Sequence, residues 1–263
     1  MKQVKSEHSP IVYYVSRTGR PEWVLFLHAA FVDHNMFREQ FEYFEGKYNL
    51  LAVDLIGHGR STETRRGDTI DRMAEWIAEI LKAEEIEKIH VVGVSLGAVI
   101  AQDFANRCPD RVSSLACFGG YDINNFDPET QKENGAKQRG MMLTALVSVE
   151  WFAKENRKIS AYTAGAQEEF FRMNRLFPKK SFRFLASLGG MVNRYKTGER
   201  KYPLLIGCGS FDLPMESELI KAWKSREPDC TAVIFENAGH CVNMDVPQEF
   251  NQKLEEFWEG AKQ

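Results

Sequence analysis

Short apolar runs recur along the chain, and each is followed by a turn or a polar segment. The run at residues 23–27 has no polar interruption, which is expected of a β-strand covered on both faces. Residues 11–16 alternate loosely and end at a Gly19 and Pro21 turn, which predicts an early strand of a hairpin. Further strands are predicted at residues 50–53, 89–92, 114–118 and 230–235, and from residue 202 onwards.

Segments with helical periodicity lie between most of these strands. Apolar residues spaced three and four apart form one stripe along each predicted helix, as expected for a helix that packs on a sheet. Such stripes are formed by Phe37, Phe41 and Phe44, by Ile70, Met73, Ile77 and Ile80, and by Phe250, Leu254 and Phe257. The alternation of strands and helices predicts an α/β fold, in which helices cover both faces of a mostly parallel sheet.

The alternation stops between residues 122 and 201. This segment contains helical patterns at residues 141–158, 168–177 and 181–191 and no convincing strand. We expect residues 1–121 and 202–263 to form the core domain and residues 122–201 to form an inserted helical cap. The alternative is a pair of ordinary crossover helices joined by long loops.

Composition narrows the class of protein. A chain of 263 residues fits one α/β domain, and its net charge of −3 argues against nucleic acid or an anionic membrane as a partner. No apolar run approaches the roughly 18 residues that span a bilayer, and the start of the chain lacks the apolar core of a signal peptide. The odd number of cysteines and the lack of a C-x-x-C pair predict reduced thiols in a cytoplasmic protein. We expect all five cysteines to pack as small apolar side chains; they are Cys108, Cys117, Cys208, Cys230 and Cys241.

The segment from Gly93 to Gly97 carries the most specific signal in the chain. It has the pattern G-x-S-x-G and lies between the predicted strand at residues 89–92 and a helix-forming stretch. A serine at such a strand-to-helix turn has its hydroxyl exposed and is typical of a nucleophile elbow. Ser95 is therefore the candidate nucleophile.

A serine hydroxyl needs a neighbouring base, and that base needs a carboxylate to fix its tautomer. His240 is the candidate base because it directly follows the last predicted strand. Asp212 is the candidate acid, since it follows the strand that begins near residue 202 and preserves the chain order Ser, Asp, His. Asp122, which follows the strand at residues 114–118, is the alternative acid.

The oxyanion of a tetrahedral intermediate needs two preorganised backbone N–H donors. Leu96, the residue after the nucleophile, is expected to supply one of them. The other is expected from the loop after residues 23–27, at Ala30.

Together these motifs resemble the α/β-hydrolase superfamily over nearly the whole chain, in particular its serine esterase and lactonase branch with a helical cap. The resemblance is carried by His28-Ala29-Ala30, by the Asp54 to Ser61 loop, by Gly93 to Gly97, by Gly209 to Asp212, and by Ala238-Gly239-His240 followed by Pro247. It implies an eight-stranded, mostly parallel sheet, a lid after the sixth strand, and neither a cofactor nor a metal. It also implies that the Asp54 to Ser61 loop is scaffold. The chain departs from the usual pattern at Ala29, where relatives carry glycine, and a positive φ there would strain an alanine.

The resemblance says little about the substrate. Bulky apolar residues are expected to line a pocket above Ser95, which suits a small apolar ester or lactone. Candidates for this lining are Phe31, Trp151, Phe152, Phe170 and Phe171. A serine at the elbow argues against a dehalogenase, whose ester forms on aspartate. Hydrolysis of a C–C bond, perhydrolysis and a ligand receptor that keeps the hydrolase fold remain open, as does the oligomeric state.

Overall fold

One sheet organises the molecule, and the computed structural model describes residues 1–127, 147–196 and 200–260 around it. Its strands are β1 (Lys2–Lys5), β2 (Val12–Ser16), β3 (Trp23–Leu27), β4 (Asn49–Val53), β5 (Ile89–Val94), β6 (Val112–Phe118), β7 (Leu204–Gly209) and β8 (Thr231–Phe235). They lie in the order β1-β2-β4-β3-β5-β6-β7-β8. The β1–β2 and β2–β4 pairs are antiparallel, and the pairs from β4–β3 to β7–β8 are parallel. The predicted eight-stranded, mostly parallel sheet is confirmed.

The first strand is the one that the apolar pattern did not predict. Its sequence has no apolar run, and its side chains are exposed or half-buried along its length. It pairs with β2, with Val4 opposite Tyr13. The hairpin predicted from residues 11–16 therefore exists, but its partner strand precedes that segment.

The helices follow the predicted stripes closely. They are α1 (Arg38–Phe44), α2 (Met73–Ala83), α3 (Leu96–Arg107), α4 (Val149–Ser160), α5 (Ala164–Asn174), α6 (Phe182–Leu185), α7 (Glu216–Arg226), α8 (Val242–Asp245) and α9 (Pro247–Gly260). Phe250 and Leu254 of α9 are fully buried as predicted. Phe257 packs against the same apolar cluster as predicted, although it is only half-buried, and its neighbour Trp258 is fully buried.

Two apolar layers cover the two faces of the sheet. Side chains alternate along each strand, so Leu25 of β3 joins a cluster that contains Ile77 of α2 and residues of α3. Phe26, the next residue, joins the other cluster, which contains Phe250 of α9. The ends of the parallel strands are thereby held rigidly, and the loops that follow them meet at one edge of the sheet.

The segment between β6 and β7, which we call the inserted segment, is helical over its described residues 147–196, and no strand is found among them. Residues 141–146 of the first predicted helix lie outside the described residues. The second predicted helix begins earlier than expected, because Thr163 caps α5 by accepting a hydrogen bond from Ala166 N. The third is not continuous: the 3-10 helix Lys179–Ser181, α6 and the 3-10 helix Leu188–Met191 replace it. Gly189 and Gly190, which are poor helix formers, lie in its last part.

Two further expectations concern the state of the cysteine thiols and the length of the helices. All five thiols are free, and four of them are buried. Cys108, which follows the last residue of α3, is only half-buried but also packs against the apolar core, as expected. Within the described ranges, the helices are too short or too polar to cross a bilayer.

Candidate active site

Ser95 occupies the turn between β5 and α3. Its backbone has φ 54° and ψ −116°, a region that non-glycine residues rarely adopt, and the conformation stores strain of order 1–3 kcal/mol. The surrounding structure holds it there, since Ser95 N donates a 2.8 Å hydrogen bond to the Phe118 carbonyl of β6. Ser95 is half-exposed while its neighbours in the turn are buried, so its hydroxyl is the accessible group.

Both glycines of the turn are required by close approaches of the backbone. A Cβ at Gly97 would collide with the Leu27 carbonyl at the end of β3. A Cβ at Gly93 would collide with the backbone of Gly97 itself. Glycine therefore lets α3 begin directly against the strand ends, which fixes the direction of the Ser95 side chain.

A row of hydrogen bonds joins Ser95 to two residues distant in the chain. His240 Nε2 lies 2.8 Å from Ser95 Oγ, and His240 Nδ1 lies 2.8 Å from Asp212 Oδ1. A carboxylate only accepts hydrogen bonds, so Nδ1 carries a proton, and in the neutral imidazole Nε2 is left to accept from the Ser95 hydroxyl. The structure thus brings together the three residues singled out by the sequence, in the geometry of a serine nucleophile with its base and orienting acid.

Two buried carboxyl groups set the electrostatics of His240. Burial alone disfavours the charged imidazole, but the negative charge of Asp212 and its hydrogen bond outweigh this, and Glu216 adds to them, so the pKa of His240 is raised to about 9. Glu216 is 5% exposed and begins α7. Its own pKa is raised to about 7 by burial, an effect that His240 opposes and Asp212 increases.

The alternative acid, Asp122, is engaged elsewhere. Its carboxylate accepts hydrogen bonds from Asn124 N at 3.0 Å, Asn125 Nδ2 at 2.9 Å and Arg226 Nε at 3.2 Å. Asp212 is the carboxylate that contacts His240. Its second oxygen, Oδ2, is buried and has no hydrogen-bond partner within the described part of the chain.

The loops expected to carry the oxyanion donors lie side by side. Leu96 is the first residue of α3, where backbone N–H groups lack partners within the helix. Ala30 belongs to the loop after β3, and α3 packs against the backbone at the start of that loop. Ala29 is not strained, since Phe31, with φ 70°, is the residue of this loop that adopts the left-handed conformation. Alanine at position 29 therefore causes no strain in the backbone of this loop.

The fully buried Asp54 joins several parts of the structure near this loop. It accepts hydrogen bonds from His34 Nδ1 at 2.8 Å, Arg60 N at 2.7 Å and Tyr14 Oη at 3.1 Å. Asp33, His34 and Asp54 lie close enough together to hold a metal ion. The bonds to Asp54 already satisfy its two oxygens, which matches the scaffold role expected for this loop.

The predicted lining residues separate into two groups. Phe31 contacts the rings of Phe152, Phe177 and Phe182 at centroid distances of 4.9, 5.3 and 5.6 Å. Trp151 is 49% exposed, whereas Phe152, the next residue of α4, is buried.

The other two predicted lining residues belong to α5. Phe170 is buried in the apolar cluster that contains Val242 of α8. Phe171 is half-buried beneath the guanidinium of Arg157, at 5.3 Å. Among the described residues, Phe152 is the one of these four helical residues that forms a ring contact with Phe31, and the lining of a pocket above Ser95 by all five stays a prediction.

Two residues near His240 were missed by the sequence analysis. Glu216 lies four residues after Asp212 at the start of α7, and Asp245 accepts a hydrogen bond from Gly239 N at 2.8 Å. The only signal for either was an acidic residue a few positions from a predicted site residue. That signal is weak because acidic residues are common at helix ends and on surfaces.

Comparison with known proteins identifies the family of this fold. The sequence profile described as "alpha/beta hydrolase fold" matches residues 22–247. The (E)-2-((N-methylformamido)methylene)succinate hydrolase of Acinetobacter baylyi is 23% identical over 251 residues, which cover 94% of this chain and 93% of that protein. The dihydrolipoyllysine-residue acetyltransferase component of the acetoin cleaving system of Cupriavidus necator is 35% identical over 255 residues, which cover 95% of this chain and 67% of that protein. The structure of a thermophilic esterase from Thermogutta terrifontis aligns with a TM-score of 0.80 and 22% identity, covering 99% of this chain and 98% of that one.

The sheet order and the loops gathered at its strand ends define a hydrolase-type α/β architecture. The chain belongs to the alpha/beta hydrolase fold family, whose profile spans most of its length. It is a hydrolase-fold enzyme with esterase relatives, so the membership expected from the motifs is confirmed.

Proposed function

We propose that the protein is a carboxylic-ester hydrolase that forms an acyl-enzyme on Ser95. The observation that carries this proposal is the hydrogen-bonded row from Ser95 Oγ through His240 to Asp212, with both distances at 2.8 Å. This row gives a hydroxyl group a base with a fixed tautomer, which is the requirement for nucleophilic acyl transfer.

The reaction proceeds in two halves. His240 Nε2 takes the proton of Ser95 as Oγ attacks the ester carbonyl carbon, and the Leu96 and Ala30 N–H groups stabilise the oxyanion. The tetrahedral intermediate collapses when the bond to the leaving alkoxide breaks, and the imidazolium of His240 donates its proton to that oxygen. Water then attacks the acyl carbon with His240 again as the base. The acid is released and Ser95 regains its proton from His240, while Asp212 stabilises the imidazolium in both halves.

A small, mainly apolar substrate suits the surroundings of Ala30. Phe31, the next residue, joins the rings of Phe152, Phe177 and Phe182, so the loop expected to hold the oxyanion is backed by hydrocarbon. We propose that residues 122–201 act as a cap and that these aromatic residues lie on its inner side. A lactone, which is a cyclic ester, would be opened by the same steps.

An activity screen tests the proposal. Purified protein is assayed against nitrophenyl esters from acetate to dodecanoate and against aliphatic lactones, beside the Ser95→Ala variant. We expect hydrolysis that favours short or medium acyl chains and falls by three or more orders of magnitude in Ser95→Ala, because the nucleophile is lost.

A matched variant controls for unspecific effects of removing a hydroxyl. Ser225 is exposed on α7, and its hydroxyl donates a hydrogen bond to the Lys221 carbonyl one turn earlier. Ser225→Ala should retain full activity. Equal activity of folded Ser95→Ala and wild type would overturn the proposal, as would the lack of any ester or lactone hydrolysis by folded wild type.

A further inference from the structure

The short loop that carries His240 is bonded on one side to the inserted segment and on the other side to Asp245 of α8. Cys241 N donates a 2.8 Å hydrogen bond to the Ser160 carbonyl at the end of α4. Gly239 N donates a 2.8 Å hydrogen bond to Asp245 Oδ2. The residues directly before and after His240 are thus fixed, and the position of the imidazole depends on what fixes them.

Asp245 connects the histidine loop to the junction between α4 and α5. Thr163 N at 2.7 Å and Thr163 Oγ1 at 2.8 Å donate to Oδ1, and Tyr162 N donates to Oδ2 at 2.9 Å. These donors lie at the N-terminus of α5, where a negative charge is favoured by the helix dipole. One carboxylate therefore binds three donors of the inserted segment and one donor of the histidine loop.

The close approach of the two segments is a second sign of this connection. A Cβ at Gly239 would lie 3.0 Å from Tyr162 N and 3.1 Å from the Ala161 carbonyl carbon. The α4–α5 junction therefore packs directly on the histidine loop, and only glycine fits between them without displacement. Neither Gly239 nor Asp245 contacts the hydroxyl of Ser95, so both act through the loop.

We propose that Asp245 is a positioning residue that fixes His240 by joining its loop to the inserted segment. Any movement of the α4–α5 junction is transmitted through this carboxylate to Gly239 and hence to the contact between His240 and Ser95. The inserted segment thereby sets the geometry of the base. This inference rests on the proposed hydrolase function, because it concerns the efficiency of that reaction.

The variant Asp245→Asn tests the connection with little change of shape. An amide has one acceptor oxygen, so its NH₂ group must face either the pair Gly239 N–H and Tyr162 N–H or Thr163 N–H. The first orientation breaks the bond to the histidine loop, and the second breaks the bond from Thr163 N and weakens the attachment of the carboxylate position to α5. We expect kcat for the best ester of the screen to fall roughly ten- to hundredfold, since a small displacement of a reacting group has effects of this size. KM should change by about twofold or less.

Asp110→Asn is the matched control. Asp110 carries a highly exposed carboxylate whose ion pair with Lys201 spans 3.9 Å, outside the histidine loop. The Asp110→Asn variant should have the kcat and KM of the wild type. A folded Asp245→Asn variant with wild-type kcat would overturn the proposal.

A second measurement separates positioning from a general loss of stability. In the wild type the imidazole of His240, followed by NMR, should titrate with a pKa of about 9. In Asp245→Asn this pKa should be lower, because a displaced imidazole interacts less with Asp212. A lower melting temperature with an unchanged His240 titration would show a structural role only and would overturn the proposal.

The proposal can still be tested if Asp245→Asn does not fold or if the wild type hydrolyses no ester. If Asp245→Asn does not fold, Thr163→Val removes one donor to the same carboxylate and should lower kcat by about threefold and shift the His240 pKa in the same direction. Unchanged values in Thr163→Val would then contradict the proposal. If the wild type hydrolyses no ester, the proposed function fails, whereas the NMR titration still decides whether Asp245 positions His240.

Discussion

At the scale of single residues, the proton affinity of His240 decides when the proposed base is available. Only the neutral imidazole can take the proton of Ser95. Asp212 and Glu216 are both buried beside it, and their negative charges stabilise the imidazolium. Below its pKa of about 9, the fraction of neutral His240 falls tenfold for each pH unit.

The pH dependence of catalysis should therefore respond to Glu216. In the wild type kcat/KM should rise with pH and level off near pH 9, where His240 becomes neutral. Glu216→Gln removes a negative charge that raises the pKa of His240, so the rise should move to lower pH. The measurement is kcat/KM for a neutral ester between pH 5 and pH 10.

The neighbouring Glu218 provides the control for that experiment. Its side chain is 71% exposed and pairs with Lys221 at 2.7 Å. Glu218→Gln should keep the wild-type profile. If Glu216→Gln left the profile in place or moved it to higher pH, the influence assigned to this buried carboxyl would be wrong.

At the scale of elements, the turn between β5 and α3 shows how a local pattern encodes structure. The apolar strand, the G-x-S-x-G turn and the helix were all predicted from the sequence, because each element has its own local signal. The reason for Gly97 is tertiary, since its neighbour is the Leu27 carbonyl of another strand.

Replacing Gly97 by alanine should therefore be severely destabilising. The added Cβ collides with backbone at Leu27, which cannot move without shifting β3, and we expect a loss of about 3 kcal/mol or more in the free energy of unfolding. Gly165 is the matched control, because it lies in α5 with open space around it. Gly165→Ala should be neutral or stabilise by up to about 1 kcal/mol. Urea unfolding measures both, and similar stabilities of the two variants would refute this account of the turn.

Other elements show where the local signal was insufficient. β1 has polar, exposed side chains, so its pairing with β2 left no apolar pattern to detect. Phe257 and Trp258 both lie near the core face of α9, and the packing of the finished core selects Trp258. Periodicity gives the face of a helix, whereas the exact contact depends on the neighbouring elements.

At the scale of the whole molecule, the fold could be predicted from the sequence, but the contacts that hold the site residues in place could not. The order of motifs indicated the family, and the three residues Ser95, Asp212 and His240 each follow a predicted strand. The sequence also favoured Asp212 over Asp122, and in the structure Asp212 contacts His240 whereas Asp122 is bound by Arg226. The contacts of Asp245 with Tyr162 and Thr163 join segments about 80 positions apart, and no local pattern reports such a contact.

The central claim, that Ser95 is the nucleophile activated by His240, is tested most directly by covalent labelling. Wild type, Ser95→Ala and Ser225→Ala are treated with a nitrophenyl phosphonate and examined by intact-protein and peptide mass spectrometry. We predict that wild type and Ser225→Ala each gain one phosphonyl group on the peptide that contains Ser95, and that Ser95→Ala gains none. A folded wild type that stays unlabelled, or a Ser95→Ala variant labelled as fast as the wild type, would contradict the claim.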